Sequence, residues 1–390
     1  MLMYNIKTLN KIAPTGLDVL REGGLNIDDG IEAPDAIMVR SAKMLEMEFE
    51  DNLLCIARAG AGTNNIPIDR CTEKGIAVFN TPGANAEAVK ELVICALLMA
   101  SRDVVGGVEW VRSIADKGEE IPAMVEKGKS SFVGPEIAGK TLGVVGLGAI
   151  GAKIANTALE LGMKVYGYDP YLSVDAAWKL SSQVKHATDI DTIYANCDYI
   201  TLHVPYIKDQ THHMLNKDAF AKMKDGVRII NLARGALVCD EDLLEAIDST
   251  KVARYVTDFP NEVTANAPNI IPLPHLGAST PESEEKCAIM AAQEALDYLL
   301  NGNIKNSVNL PAVSLDRMGV CRVCIIHKNV PRMLNQFLDL IGAADINVAH
   351  MINKARGDWA YTLIDTDSPV GDDIPKSIAA LADVIRVRVL

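Results

Sequence analysis

Short apolar runs recur along the chain. Each ends in small, polar or charged residues, and most lead into stretches with apolar positions three or four apart. In the first hundred residues the runs fall at 3–9, 36–39, 53–57 and 77–80, and the last passes into a helical stretch reaching Ser101. A run at 141–145 is followed by helical spacing at Ile150, Ile154, Ala155, Ala158 and Leu161, then by a second run at 163–168. Runs at 199–204, 227–232, 254–257 and 270–273 alternate with helical stretches at 189–196, 217–223 and 241–248. This alternation predicts doubly wound parallel sheets with helices on both faces. One long helix is expected over 281–300.

The rhythm changes in the last part of the chain. Strands are expected at 320–326, 346–354, 359–365 and 384–389, with helices at 331–341 and 375–382. That is the βαββαβ order of a ferredoxin-like unit. The expected fold is α/β, with two Rossmann-like parallel-sheet domains and a C-terminal ferredoxin-like domain. The first domain is discontinuous (1–100 plus 281–302), the second covers 101–280, 303–316 is a linker, and 317–390 forms the last domain.

The run–turn–run over 141–169 carries the clearest chemistry. It holds Gly146, Gly148 and Gly151 in the pattern G-x-G-x-x-G and ends in Asp169, 18 residues after Gly151. The first glycine allows a tight turn, the second lets backbone approach a pyrophosphate, and the third lets the helix pack close to the strand. Ala149 and Ile150 open that helix, whose free N–H groups suit phosphate. A carboxylate at Asp169 suits ribose hydroxyls, and no Lys or Arg follows over 170–175, so NAD is expected rather than NADP. Ligands gather at the carboxyl ends of strands in such sheets. His203, Pro205, Ala233, Asp258 and Gly277 are therefore further cofactor candidates.

Hydride transfer from a 2-hydroxy acid needs a base on the hydroxyl and a cation for the carboxylate. His275 and Arg234 each follow a strand and suit those roles. Glu262 lies in the loop after Asp258, where a carboxylate could orient the imidazole. Arg40, Arg58 and Asn85 also lie just past strand ends, with surface ion pairing or helix capping as their plain alternatives.

Composition narrows the partners. Lys and Arg number 38 against 51 Asp and Glu, a net charge of −13, which argues against nucleic acid and anionic membranes. The longest apolar stretch is too short to span a bilayer, and no cleavable leader is recognisable, so a cytoplasmic protein is expected. The eight cysteines read as reduced core residues. Cys321 and Cys324 sit in a predicted strand, where positions three apart face opposite ways, so neither they nor His212-His213 predict a metal site.

RAGAGTNNI (58–66), TPGANAEAVKEL (81–92), KTLGVVGLGAIG (140–151), NLARG, DFPNE and PHLGAST together resemble the D-2-hydroxyacid dehydrogenases over nearly the whole chain. The resemblance implies NAD-dependent oxidation of 3-phospho-D-glycerate to 3-phosphohydroxypyruvate, the first committed step of L-serine synthesis. It implies His275 as acid/base, Arg234 as carboxylate anchor and Glu262 as the supporting acid. Glu262 lies four residues after Asp258 where the family commonly has five, so Asp258 competes for that role. Asn85, Arg58 and Gly60 would contact the substrate carboxylate and Arg40 its phosphate.

The C-terminal unit resembles an ACT sensor domain, which implies L-serine as effector at His327, Asn329 and Asn347. Arg332 replaces the glycine of that motif, HKNVPR here. A homo-oligomer is implied, a dimer through the nucleotide domain around Trp110 or a tetramer through ACT edges. Two alternatives stay open: another D-2-hydroxy acid such as 2-hydroxyglutarate, and an NAD-sensing corepressor without turnover.

Overall fold

The computed structural model describes residues 4–390; Met3, the expected start of the first strand, lies outside the described residues. Two compact units result, Met1–Asn85 with Pro281–Leu390, and Ala86–Thr280.

The first unit opens with a parallel sheet of β1 (Asn5–Leu9), β2 (Asn26–Asp28), β3 (Ala36–Val39), β4 (Cys55–Arg58) and β5 (Ala77–Phe79), in the order β2-β1-β3-β4-β5. All four residues of β3 are buried, which is why they read as one apolar run. β2 has the sequence NID and gave no apolar signal; it forms because β1 offers a free edge. The strand order reverses between β1 and β3. Arg40, Arg58 and the 81–85 turn stand at the carboxyl ends of β3, β4 and β5.

The second unit holds seven parallel strands: β6 (Thr141–Val145), β7 (Lys164–Tyr168), β8 (Lys185–His186), β9 (Tyr199–Leu202), β10 (Val227–Asn231), β11 (Val252–Thr257) and β12 (Ile270–Pro272). Their order is β12-β11-β10-β9-β6-β7-β8, so the switch point lies between β6 and β9. The helix Ala86–Ser101 belongs to this unit and not, as the sequence suggested, to the first. Its Val89, Val93, Ala96, Leu97 and Ala100 share a core with Leu142, Val144, Ile154, Ile230 and Val256.

The C-terminal sheet of β13 (Cys321–Lys328), β14 (Val348–Arg356), β15 (Trp359–Thr366) and β16 (Val384–Val389) is antiparallel, ordered β14-β15-β13-β16. This is the ferredoxin-like arrangement. Val323, Ile325 and Ile364 face the helices Met333–Ala343 and Asp373–Ala379. The opposite face (Cys324, Ile326, Tyr361, Leu363) joins the core of the first sheet, beside Phe79, Tyr298 and Leu299. The stretch 303–316, expected as a linker, contributes Ile304, Leu310 and Val313 to that core. Ser307 bridges Phe79 in antiparallel fashion, and Asn309 bonds Val78, Thr72 and Ile76.

Polar groups of the C-terminal sheet cap the end of the helix Pro281–Asn301. Arg388 donates to the Leu299 carbonyl at 2.8 Å and the Tyr298 carbonyl at 3.3 Å. Arg322, fully buried and paired with Asp365, donates to the Asn301 carbonyl at 2.8 Å, and the Tyr361 hydroxyl to Gly302 at 2.7 Å. A helix leaves its last carbonyls unpaired, and cations suit that end of its dipole. Among the described residues no helix is long and apolar enough to cross a membrane, and no cluster of His, Cys, Asp and Glu is arranged to hold a metal.

Candidate active site

In the second unit the three glycines of the turn differ in what surrounds them. Gly146 has φ +92°, and a Cβ there would lie 2.5 Å from the His203 carbonyl oxygen. A Cβ on Gly151 would lie 1.9 Å from the Gly146 carbonyl oxygen, so the helix Ala149–Glu160 can approach β6 only with glycine there. A Cβ on Gly148 would meet nothing within 4 Å. Gly148 is also the N-cap and supplies no side chain, so the first N–H groups of that helix stay open to an anion. Asp169 accepts from the backbone N–H groups of Leu147 and Tyr171, both at 2.9 Å, which ties the end of β7 to the turn.

His203 turns its ring inward, Nε2 lying 2.8 Å from the Thr201 hydroxyl. Burial pushes its pKa down to about 3, so it is neutral and structural, and its backbone faces the turn. Pro205 is exposed, and its carbonyl accepts from the Thr211 hydroxyl.

Arg234 and His275 meet on Phe259. The guanidinium carbon of Arg234 lies 5.8 Å from the Phe259 ring centre and the His275 ring 4.5 Å from it. Both polar side chains are exposed, and Arg234 donates to the Ala233 carbonyl at 2.6 Å. The loop that carries Arg234 is built by Asn231, buried at the end of β10. Its amide donates to the Arg234 carbonyl and the Tyr255 hydroxyl, and its oxygen accepts from the N–H groups of Ala233 and Arg234.

Asp258, 1 % exposed, accepts from the Gly277 N–H at 3.3 Å, while its Oδ1 has no hydrogen-bond partner. Burial pushes its carboxyl above the usual range, opposed by the charges of His275 and Arg234. Glu262 is exposed and, among the described residues, makes no ion pair or side-chain hydrogen bond. Sequence reasoning missed Asn231, Tyr255 and Phe259. A buried amide closing an apolar strand was the one available signal, and it pointed only to Asn231.

In the first unit the Arg58 Nε donates to the Arg40 carbonyl at 3.0 Å, and Arg40 pairs with Glu284 at 2.7 Å. Gly60 has φ +154°, and a Cβ there would meet the Arg58 guanidinium at 2.8 Å, so glycine lets that side chain fold back over the loop. Asn85 Oδ1 and Thr81 Oγ1 are buried without hydrogen-bond partners.

The three expected effector residues do not come together within the chain. His327 is buried, with Nδ1 2.8 Å from the Lys328 carbonyl and Nε2 2.9 Å from the Thr362 hydroxyl; burial lowers its pKa. Asn329 bonds the Gly357 carbonyl at the same end of the sheet. Asn347 bonds Asp367 at the other end, beyond the Cys321–Thr366 pair, about 23 Å away along an eight-residue strand. Trp110 packs on Phe132, with ring centres 5.4 Å apart.

The strand order, the glycine turn and the acid at Asp169 define the second unit as a doubly wound dinucleotide-binding domain. The open face at Gly148, the uncapped helix and the orphaned Asp258 oxygen fit NAD, with pyrophosphate at the first two and a carboxamide donor at the last. Residues 94–277 match the family of D-isomer specific 2-hydroxyacid dehydrogenases, NAD binding domain. The chain is 34% identical to D-3-phosphoglycerate dehydrogenase of Archaeoglobus fulgidus over 79% of its own length and 58% of that protein's. It is 37% identical to hydroxypyruvate reductase of Thermotoga maritima over 68% of its length and 85% of that protein's. The NAD+-bound 3-phosphoglycerate dehydrogenase of Entamoeba histolytica is similar in structure, with TM-score 0.61 and 25% identity over 79% of this chain and 99% of that one. The chain belongs to the D-isomer specific 2-hydroxyacid dehydrogenase family, and its second unit carries the family's NAD-binding domain.

Proposed function

We propose that the protein oxidises 3-phospho-D-glycerate to 3-phosphohydroxypyruvate with NAD, the first step of L-serine synthesis. The observation that carries this reading is the seating of one cation and one imidazole, Arg234 and His275, on the single ring of Phe259. In this reading Arg234 holds the substrate carboxylate and polarises the carbonyl as it develops. His275 takes the hydroxyl proton. Glu262 supports His275, with Asp258 as the competing acid. NAD, when bound, supplies the hydride acceptor. Gly146, Gly148, Ala149, Ile150, Gly151 and Asp169 hold its pyrophosphate and ribose, and His203, Pro205, Ala233 and Gly277 contribute backbone beside it. Arg58, Gly60 and Asn85 serve the carboxylate, and Arg40 serves the phosphate.

The name of the Archaeoglobus relative supports the phosphorylated substrate, as does the placement of Arg40 and Arg58 at adjacent strand ends. The Thermotoga relative favours a second reading, interconversion of hydroxypyruvate and D-glycerate or another D-2-hydroxy acid. A panel of D-2-hydroxy acids separates them by kcat/KM. Replacing His275 with Ala is expected to lower kcat by about 10²–10⁴ while NAD affinity stays within a few-fold. Equal loss of turnover and NAD binding would remove His275 from the acid/base role.

L-Serine is the proposed effector of the C-terminal, ACT-like unit. His327 and Asn329 form one half of its site, and Asn347 would come from a second copy, consistent with a cytoplasmic homo-oligomer. Inhibition of turnover by L-serine tests this.

A further inference from the structure

We propose that Glu284 is a built-in counter-ion that competes with the substrate's phosphate for Arg40 and so sets how strongly phosphorylated acids are preferred. The proposal rests on the phosphorylated-substrate reading above. The backbone around Arg40 is fixed from two sides. Its carbonyl accepts from Arg58 Nε at 3.0 Å, and Asn10 Oδ1 accepts from the N–H groups of Ser41 and Ala42, at 3.1 and 2.5 Å. What remains adjustable is the guanidinium, and Glu284 holds it: Nη2 to Oε1 is 2.7 Å, with both side chains 41% exposed.

Glu284 lies in the first turn of the helix Pro281–Asn301, where the positive end of the dipole favours the ionised carboxylate. Arg40 therefore does not wait as an uncompensated cation. A phosphate dianion arriving at the same guanidinium meets a carboxylate about 6 Å away. Even with the full screening of water, that repulsion is worth roughly tenfold in affinity. A substrate without phosphate does not meet it. Glu284 is thus a positioning and specificity residue, not a catalytic one.

The test is Glu284→Gln, which keeps an oxygen to accept from Arg40 and removes the charge. Steady-state kinetics with 3-phospho-D-glycerate and with D-glycerate, and competitive inhibition by inorganic phosphate, are measured on the full chain. The expected result is a roughly tenfold fall in KM for the phosphorylated acid and in the inhibition constant of phosphate, with the change in KM rather than kcat. KM for D-glycerate should move less than about twofold. In an Arg40→Ala background KM for 3-phospho-D-glycerate should rise, because the phosphate loses its cation while the Glu284 carboxylate stays beside it. An unchanged or raised KM for 3-phospho-D-glycerate in Glu284→Gln, an equal shift for both acids, or an Arg40→Ala variant with unchanged KM for 3-phospho-D-glycerate would overturn the proposal. Failure of the underlying reading looks different: the wild-type chain would not prefer the phosphorylated acid. The phosphate inhibition constant, measured on whichever D-2-hydroxy acid is oxidised, would then still report on Glu284.

Discussion

Arg332 occupies backbone that few side chains adopt. It stands at φ +71° as the N-cap of the helix Met333–Ala343, with no side-chain capping bond. A non-glycine residue there costs roughly 1–2 kcal/mol. Arg332→Gly should therefore stabilise the chain by about 0.5–1 kcal/mol in urea unfolding, the flexibility of glycine in the unfolded state offsetting part of the gain. No gain at all would mean that the arginine makes up the strain elsewhere.

Glu294 is a second residue out of its ordinary state. It is buried, with one oxygen bonded to Asn306 at 2.6 Å and the other without a hydrogen-bond partner. Burial raises its pKa from 4.5 to about 7, against the favourable Asn306 bond and Lys305 charge. A pKa raised in the folded state gives a contribution fully present below 4.5 and lost as pH rises through about 7. The loss amounts to about 3 kcal/mol by pH 8.5. Glu294→Gln should flatten the fall in unfolding free energy between pH 5 and 8.5; an unchanged slope would place the titration elsewhere. The Arg332 position was marked in the sequence, where it stands in place of a glycine; the state of Glu294 was not, because it depends on what packs above the residue. Arg234 and His275 were legible because strand ends collect ligands whatever the packing. Phe259, which joins them, was not, because its two partners are 25 and 16 residues away along the chain (259 − 234, 275 − 259).

At the scale of elements, strand and helix types followed apolar period closely in the nucleotide unit, where both sheet faces are covered and the runs are unbroken. β2 was missed because a three-residue polar edge strand carries no period. The helix Ala86–Ser101 was legible as a helix, but not its allegiance, since apolar spacing does not say which sheet will cover it. The end of the helix Pro281–Asn301 carries the most consequential contacts that the sequence hid. Arg388 bonds two of its carbonyls and stacks over the Tyr298 ring at 4.6 Å. Arg388→Ala would leave buried carbonyls unpaired and remove a large packed side chain. A loss of roughly 3–5 kcal/mol is expected in denaturant unfolding. A loss below about 1 kcal/mol would mean that water replaces the guanidinium without penalty.

At the scale of the molecule, the C-terminal sheet is continuous with the core of the first sheet, through Tyr361 and Leu363 on one side and Phe79, Tyr298 and Leu299 on the other. A linker was expected over 303–316, yet its Ile304, Leu310 and Val313 fill this seam. The NAD-binding unit, by contrast, was nearly complete in sequence, because its glycines and acid are required by backbone geometry at fixed spacing.

The most direct test of the account is NADH formation from 3-phospho-D-glycerate and NAD by the full chain, with a trap for 3-phosphohydroxypyruvate, run beside His275→Ala. The account predicts turnover with a higher kcat/KM than for unphosphorylated D-2-hydroxy acids, and its collapse in the variant while NAD still binds. Retained NAD binding with no turnover of any D-2-hydroxy acid by the wild-type chain would contradict it.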